Sequence, residues 1–526
     1  MKIEESSLEQ NNIVFEDDEI QIMKKYEWPG FCVHQYNDTG NIMVSLLKER
    51  DHKINKTLRY IYQDTTKTQV MTLKKVSSFH EGLAYASSIT PTGPYGYIDA
   101  SLRFVIPEIY SSVSDFSEGY AVVGKKENGI DTYYIIDKDG NEFSMTSTDG
   151  SVQKTYMLID NCSDGMFRVS IRSITVAGHH DHERYAGFWG YLDATGKEII
   201  PPQYIYAYNF ENGRALVCKG EWVYLEKKTN EFRIGDYYSK DEQWGMIDKT
   251  GKEVIPCVFD QLDFFYAGCG PFSDGCYRAH YGGWEKGKWG IIDSHGKWIV
   301  EPQFEDIGDE ISNDGLVGFY VADYWSDPDN IPMGIYSILE KRIVFETEFF
   351  DVSFPNDTLI FVEVIDEKSS RRYRKAIDRE GRAILDSPEY KWISLNEFGF
   401  LIGKENGLDG VIDIIDKKEI IPFKYNIPAG GISAKAKRFY IKENKKEGIV
   451  SFDMKVIVPS IYEYVRGLDD EFVEVSQRKG NDLINGLLAQ SGEEILPCIY
   501  NSILVQDDFI IANDDDGASV YQILRN

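Results

Sequence analysis

The amino-acid sequence predicts an all-β fold made of tandem β-meander repeats, and two observations lead to this prediction. The 526 residues include 34 Tyr, 28 Phe, 9 Trp and 45 Gly, a composition that favours β-strands joined by tight turns. A motif that contains Trp-Gly, Asp-x-x-Gly and Pro recurs about every 38 residues, with longer spacings in the middle of the chain. Self-similarity at such a period is typical of repeat architectures, in which neighbouring units bury a shared core.

The clearest copies of the motif begin at Trp189, Trp244 and Trp289, and degenerate copies continue to about residue 500, so that roughly eleven units fit the chain. A half-motif of the type Phe-x-Glu-Gly, as at Phe79 and Phe116, alternates with them. The predicted structural positions of the repeats are Gly96, Trp189, Gly190, Asp193, Gly196, Trp244, Gly245, Asp248, Gly251, Trp289, Gly290, Asp293 and Gly296.

The order of residues within one copy predicts three strands. Met246-Ile247 is a short β-prone stretch, and Asp248 and Gly251 suit a type I turn that is followed by a residue of positive φ. The returning strand ends near Pro256, because proline cannot donate to a central ladder. The Glu-Gly half-motif supplies the third strand, and Gly245 is expected to let a neighbouring strand or ring approach closely.

These motifs resemble the WG (KWG) β-repeat family of bacterial proteins from about residue 60 onward. The resemblance is strong at Trp189, Trp244 and Trp289, whereas the later copies have lost the tryptophan. It implies an all-β repeat protein, and it implies no reaction, because no common catalytic residue belongs to the motif.

We expect the three-stranded units to form an open, superhelical, solenoid-like array. A closed β-propeller or two subarrays are the alternatives, and eleven blades would exceed the usual four to eight. The predicted division is an N-terminal cap region at 1–58, a repeat array with long insertions at 59–332, and a degenerate array with a C-terminal cap at 333–526.

Charge and targeting signals narrow the function classes. The formal net charge of −29 argues against binding nucleic acid, because phosphates would be repelled over most of the surface. The polar N-terminus lacks a signal-peptide pattern, and the seven scattered cysteines suit a reducing compartment. These features predict a cytoplasmic protein, and whether a leader has been removed stays open, as does the oligomeric state.

The sequence offers little that indicates catalysis. His179, His180 and His182 lie beside acidic residues, but ligands so close in sequence rarely converge on one ion, so a solvated loop is expected. Cys276 lies where sister repeats have Leu or Tyr, which favours a packing role. We predict no metal, no cofactor and no catalytic residue, although a site composed across repeats could not be recognised from sequence.

The insertions that lengthen the central repeats share one topological place, before the next Trp-Gly. They fall at about 174–187, 222–243, 280–288 and 322–332, and a stacked array would gather them on one face. Exposed aromatic residues among polar ones are typical of binding sites, and the alternative is that these rings pack down to anchor the loops. The predicted binding-face residues are His179, His180, His182, Tyr185, Tyr237, Tyr238, Tyr281, Trp284, Tyr324 and Trp325.

These observations favour a non-enzymatic repeat scaffold that binds another macromolecule. A protein partner is favoured, and the acidity points to a basic one, such as a toxin domain or a subunit of a complex. The alternative is a carbohydrate-binding or hydrolytic β-repeat protein, which would use the same aromatic rings as sugar platforms.

Overall fold

A computed structural model shows an all-β protein. It describes residues 13–16, 20–29, 31–36, 41–46, 59–63, 68–127, 130–145, 156, 158–171, 174–175, 185–225, 236–265, 275–322, 331–396, 399–404, 407–413, 418–427, 432–433, 437–468, 471–506 and 508–525. In these ranges the regular structure consists of β-strands, and no helix is long and apolar enough to cross a bilayer. The predicted all-β repeat fold is confirmed.

The described strands form one five-stranded sheet, eleven four-stranded sheets and one two-stranded sheet. The five-stranded sheet contains β1 (Ile13–Glu16), β2 (Ile20–Pro29), β49 (Ser502–Gln506), β50 (Phe509–Asn513) and β51 (Gly517–Arg525). The two-stranded sheet contains β17 (Ile174–Thr175) and β18 (Tyr185–Ala186).

The four-stranded sheets follow one another along the chain. They are β3–β6 (Phe31–Tyr36, Asn41–Leu46, Arg59–Gln63, Thr68–Leu73); β7–β10 (Lys75–Val76, Leu83–Ser87, Tyr95–Asp99, Phe104–Tyr110); β11–β14 (Ser112–Val113, Tyr120–Glu127, Ile130–Asp137, Glu142–Ser144); β15, β16, β19 and β20 (Leu158–Ile159, Met166–Ser170, Trp189–Asp193, Glu198–Tyr204); β21–β24 (Tyr206–Ala207, Arg214–Leu225, Asp236–Asp248, Glu253–Phe259); β25–β28 (Gln261–Phe264, Cys276–Tyr281, Lys288–Asp293, Trp298–Phe304); β29–β32 (Asp306–Ile311, Leu316–Tyr320, Met333–Ser337, Arg342–Phe349); β33–β36 (Asp351–Ser353, Leu359–Ile365, Arg372–Asp378, Ala383–Leu385); β37–β40 (Tyr390–Asn396, Gly399–Lys404, Asp409–Ile412, Glu419–Tyr425); β41–β44 (Ile432–Ser433, Arg438–Glu443, Lys446–Ser451, Val456–Tyr462); and β45–β48 (Tyr464–Gly467, Phe472–Lys479, Asp482–Ala489, Glu494–Tyr500).

Each repeat contains one strand more than the three predicted. In the β21–β24 repeat, the Glu-Gly type segment, the Trp-Gly segment and the segment that contains Pro256 form β22, β23 and β24. The prediction that the returning strand ends near Pro256 is wrong: β24 continues through the proline to Phe259, because it is an edge strand, where a residue without an N–H is tolerated. The additional strand, β21, follows the aromatic residue at the end of the preceding repeat and pairs with β22. The meander therefore has four antiparallel strands, with the Trp-Gly strand third.

The Asp-x-x-Gly segments form the predicted turns. Asp193 Oδ1 accepts hydrogen bonds from the backbone N–H of Thr195 (2.9 Å) and Lys197 (3.1 Å), and Gly196 has a φ of +79°. Asp248 and Asp293 accept the equivalent pairs of bonds in their own repeats. The aspartate therefore fixes the turn from inside, which is the structural role that its spacing predicts.

The tryptophan of the motif pairs with the aromatic residue that ends the fourth strand. Trp189 lies opposite Tyr204, Trp244 opposite Phe259, and Trp289 is buried like Trp189. These residues belong to hydrophobic clusters that contain side chains of two neighbouring sheets, so the core consists of consecutive clusters between sheets.

The chain divides into two compact units. Unit 1 comprises 1–77, 86–108 and 391–526, and unit 2 comprises 78–85 and 109–390. In unit 1, β2 pairs with β51 from Ile20–Arg525 to Pro29–Gly517, so strands from both ends of the chain share one sheet. Residues 1–58, predicted to be a cap, thus contribute β1 and β2 to this sheet and β3 and β4 to the next.

Candidate functional site

The two ends of each meander in unit 2 carry different connections. Because successive strands run antiparallel, the first–second and third–fourth turns lie at one end of a sheet, and the second–third hairpin lies at the other. The Glu-Gly and Asp-x-x-Gly turns occupy the first of these, which we call the turn end. The insertions at about 174–187, 222–243 and 280–288 occupy the second, which we call the insertion end.

The predicted binding-face residues fall into three groups. Tyr281 and Trp284 are described with their side chains. Tyr185 lies in β18, and Tyr237 and Tyr238 lie in β23. Lying outside the described residues are His179, His180, His182, Tyr324 and Trp325.

The insertion at 222–243 continues the sheet as a long hairpin. The pairing of β22 with β23 extends beyond the Trp-Gly position, with Val223 opposite Tyr238 and Tyr224 opposite Tyr237. An irregularity between Lys219 and Glu221 separates this extension from the repeat itself. The added residues next to the repeat are therefore carried on two paired strands.

Aromatic rings surround the base of this hairpin. Tyr206 stacks on Trp244 (5.7 Å between centroids, 4° between planes) and meets Trp222 edge to face (5.4 Å). The Trp222 indole N–H donates to the Gly187 carbonyl (3.2 Å), so the hairpin is attached to the preceding insertion. Trp222 was not among the predicted site residues, although its position in the insertion was a usable signal.

Trp284 projects from a tight loop between β26 and β27. Its side chain is 64% exposed, and its ring stacks on His280 (5.4 Å, 19°). His280 is buried and also meets Trp289 edge to face (5.4 Å). The outer ring of the loop thus rests on a residue of the repeat core.

Asp260 fixes both the loop and the imidazole beneath Trp284. Its Oδ2 accepts the Gly283 N–H (2.8 Å) and lies 3.3 Å from Nδ1 of His280. That separation suits an ion pair if the imidazole is protonated, although Nδ1 makes no aligned hydrogen bond. Sequence reasoning missed Asp260 and His280, because neither belongs to the motif.

Tyr281 has the same combination of support and exposure. It is 49% exposed, and its ring contacts Phe259 and Trp298 edge to face, each at 6.2 Å. Phe259 and Trp298 in turn meet at 5.6 Å. Both described candidates therefore contact the repeat core through their rings while about half or more of each side chain stays exposed.

At the turn end, carboxylates join consecutive repeats. Glu81 accepts the backbone N–H of Glu118 (2.6 Å) and Gly119 (2.8 Å) in the next repeat. Glu118 in turn accepts the N–H of Asp164 and Gly165 (2.7 Å each), and Asp164 accepts the N–H of Gly213. The acidic residue of the half-motif therefore binds the same turn of the following repeat.

Lysines from the Asp-x-x-Gly turns reinforce these contacts. Lys249 Nζ lies 2.6 Å from Asp164 Oδ1, and Lys138 Nζ lies 3.0 Å from Glu81 Oε2. The bond from Lys249 and the Gly213 N–H lower the pKa of Asp164. Burial works to raise the pKa of Glu81, but Lys138 and the two backbone N–H groups outweigh it and lower that pKa.

The described cysteines and acidic groups give no sign of metal or thiol chemistry. Cys162, Cys218 and Cys257 are buried free thiols, and burial raises the pKa of Cys257 to about 12. Such thiols stay protonated and pack as small apolar groups. Within the described ranges no group of three or more His, Cys, Asp or Glu side chains is placed to hold a metal ion.

Comparison with protein families identifies the motif. The family model described as "WG containing repeat" matches residues 95–128, 189–221, 244–283 and 289–325. These four segments carry WG repeats. These matched segments cover the copies at Trp189, Trp244 and Trp289 and the weaker copy that contains Gly96, so the resemblance seen in the sequence is confirmed for these four segments.

Comparisons with curated proteins and solved structures give no further indication of function. No curated protein matches the chain. Similar solved structures include the designed protein Ika8 (9% identity, 95% of this chain and 98% of that chain, TM-score 0.18) and the tricorn protease (11%, 98% and 60%, 0.23). Another is the extracellular domain of the hybrid two-component system BT3049 from B. thetaiotaomicron (10%, 95% and 77%, 0.19). TM-scores this low support no inference about function.

Proposed function

We propose that this WG-repeat protein is a non-enzymatic scaffold that binds a protein partner at the insertion end of unit 2. The observation that carries the proposal is the position of Trp284, which is 64% exposed although its ring is already stacked on the buried His280. Large exposed rings with fixed orientation are the residues that contribute most to protein interfaces.

The loop that carries Trp284 is held in one conformation before any partner arrives. The Gly283 N–H donates to Asp260 (2.8 Å), and the Gly287 N–H donates to the Gly283 carbonyl (2.6 Å). Gly282 and Gly283 both have positive φ, which allows the chain to turn sharply between β26 and β27. Binding would therefore order few additional groups, and less of the interaction free energy would be lost to entropy.

The charge of the chain bears on the kind of partner. A formal charge of −29 attracts a basic protein over distances of about a Debye length, roughly 8 Å at physiological salt. Aromatic anchors would supply affinity, and the acidic surface would speed the encounter. We therefore infer a basic protein partner. We also infer that both proteins act in the reducing cytoplasm, because buried cysteines that form no disulfide suit a reducing compartment.

The test starts from a partner co-purified from native extract and then expressed alone. Calorimetry should give a dissociation constant that rises about 5- to 30-fold for Trp284→Ala, and similarly for Tyr281→Ala, as expected for hot-spot rings worth about 1–2 kcal/mol each. The association rate should fall as salt is raised from about 50 to 300 mM.

Tyr464→Ala is the matched control, because Tyr464 is an exposed aromatic residue in unit 1. It should leave the affinity unchanged, and all three variants should melt like the parent protein. An unchanged dissociation constant for the Tyr281→Ala, Trp284→Ala double variant would place the interface elsewhere. If that variant unfolds, the rings serve to anchor the loop.

A further inference from the structure

A second feature of unit 2 lies at the turn end, away from the aromatic loop. A cavity of about 890 Å³ opens across three consecutive repeats, beside the first–second turn of the β21–β24 repeat. We call it the turn-end cavity, and its size is within the range of small-ligand sites. The residues that the argument uses are Tyr208, Glu211, Arg214, Leu216, Met246 and Phe264.

The cavity exists because one repeat departs from its neighbours. In the two flanking repeats, Arg168 and Arg278 form ion pairs with Asp160 and Asp263. In the β21–β24 repeat the corresponding positions are held by Leu216 and Tyr208, which are joined by the same backbone bond, from the Tyr208 N–H to the Leu216 carbonyl (2.9 Å).

The positional match follows from the register of the sheets. Arg168 lies opposite Tyr191, Leu216 opposite Met246 and Arg278 opposite Ile291, and in each case the partner follows the Trp-Gly pair directly. A shorter apolar side chain thus replaces a long paired arginine. The replacement leaves empty space above the apolar side chains of Leu216 and Met246.

The floor and two sides of the cavity are apolar. Leu216 and Met246 are buried in one hydrophobic cluster, so they form a floor without hydrogen-bonding groups. Tyr208 (52% exposed) and Phe264 (51% exposed) stand at the sides. The Tyr208 ring contacts the Trp244 ring (6.3 Å between centroids), and the Phe264 ring meets the Tyr277 ring edge to face (5.4 Å between centroids).

One acidic side chain, Glu211, and two basic side chains, Arg168 and Arg214, line the same cavity, and Arg168 is already paired with Asp160. Glu211 and Arg214 face each other across a tight turn, with backbone bonds in both directions (2.9 and 3.1 Å), so their Cα atoms are roughly 5.5 Å apart. Arg214 Nη1 donates to the Ser294 carbonyl (2.7 Å). Among the described residues, neither Glu211 nor Arg214 has an ion-pair partner, although most of the described arginines are paired with carboxylates.

We propose that the turn-end cavity binds a short peptide of two or three residues that carries both end charges and one large apolar side chain. The apolar side chain lies on the floor formed by Leu216 and Met246. The peptide carboxylate pairs with Arg214, and the peptide ammonium group pairs with Glu211. This site goes beyond the proposed function, because it lies at the opposite end of the repeats from Trp284.

The test measures binding of free Gly-Leu-Gly by calorimetry, with N-acetylated and C-amidated forms of the same tripeptide. We expect the parent protein to bind the free tripeptide, and each cap to weaken binding about tenfold. Glu211→Gln should remove the effect of acetylation, and Arg214→Met should remove the effect of amidation. Such a cycle assigns each peptide charge to one side chain.

Glu301→Gln and Arg103→Met are the matched controls, because both change the same charge outside the cavity. They should bind like the parent protein. The proposal fails if the free tripeptide does not bind at about 10 mM, or if maltotriose binds equally well. It also fails if acetylation and amidation weaken tripeptide binding by the same factor in every variant. Trp284→Ala should leave tripeptide binding unchanged, so this test and that of the partner interface fail independently.

Discussion

The glycine that follows each repeat tryptophan has no room for a side chain. A Cβ on Gly245 would lie 2.7 Å from both the Ile255 carbonyl oxygen and the Cys257 nitrogen, and Gly190 and Gly290 are equally close to their own fourth strands. The obstacle is backbone, which cannot rotate away. Register irregularities beside Trp244 show that the fourth strand bends toward the glycine at this point.

Gly245→Val should therefore destabilise unit 2. A branched side chain would push β24 away from β23, and we expect a loss of about 1–3 kcal/mol from overpacking and backbone strain. The measurement is chemical unfolding followed by tryptophan fluorescence. Gln203→Val is the control, because Gln203 is exposed on a fourth strand where the next repeat has Val258. Equal midpoints for the two variants would contradict the proposed role of the glycine.

Consecutive sheets of unit 2 are joined by the acidic turn residue of one repeat and the turn backbone of the next. Asp164 combines this contact with an ion pair to Lys249, a lysine of the following repeat's Asp-x-x-Gly turn. The half-motif and the main motif, which look independent in the sequence, therefore meet across a repeat boundary.

The Asp164 contact should give unit 2 a pH-dependent stability. Its pKa is lowered in the folded protein, so the stabilisation is present above the unfolded value of about 3.9 and is lost as the pH falls through the folded pKa. Asp164→Asn should cost roughly 0.5–1 kcal/mol at pH 7, because the pair is partly exposed, and close to nothing at pH 3.

Urea unfolding at pH 7, 5 and 3 would measure this difference. Asp309→Asn serves as the control, because Asp309 is exposed and lies on β29, away from the joined turns. A difference between Asp164→Asn and the parent protein that persists at pH 3 would show that the carboxylate charge is not responsible.

The strands and turns differ in how well the sequence predicts them. Three of the four strands and the Asp-x-x-Gly turn of the clear repeats carry period-2 or turn signals, and they were predictable. The additional strand, such as Tyr206–Ala207, has two residues and is too short to show alternation. Trp284 could be selected from its insertion, but its stacking on His280 depends on the positive φ of Gly282 and Gly283, which the sequence does not specify. The turn-end cavity depends on comparing aligned repeats in space.

The pairing of the two chain ends within unit 1 is the feature that the repeat motif predicts least. Strands β1 and β2 lack the motif, yet β2 lies between β1 and β51 in the five-stranded sheet. As a result, β51 is an interior strand, and its backbone groups are not left on a free edge. Ile22 is fully buried opposite Ile523, in a cluster that also contains Ile510 and Tyr521.

Ile22→Ala should therefore loosen strands some 490 residues away in sequence. Removing three carbons from a fully buried side chain should cost about 2–5 kcal/mol, and the loss should spread to β50 and β51 because they share one core cluster with β2. Amide hydrogen exchange in Phe509–Asn513 should become faster by the factor that corresponds to this free energy, since exchange from a cooperative unit reports its opening. Val14→Ala is the control, because Val14 is exposed on β1, and it should change exchange very little. If Ile22→Ala accelerates exchange in β2 while Phe509–Asn513 keeps its protection, the two ends of the chain fold independently and their shared sheet contributes little to the stability of unit 1.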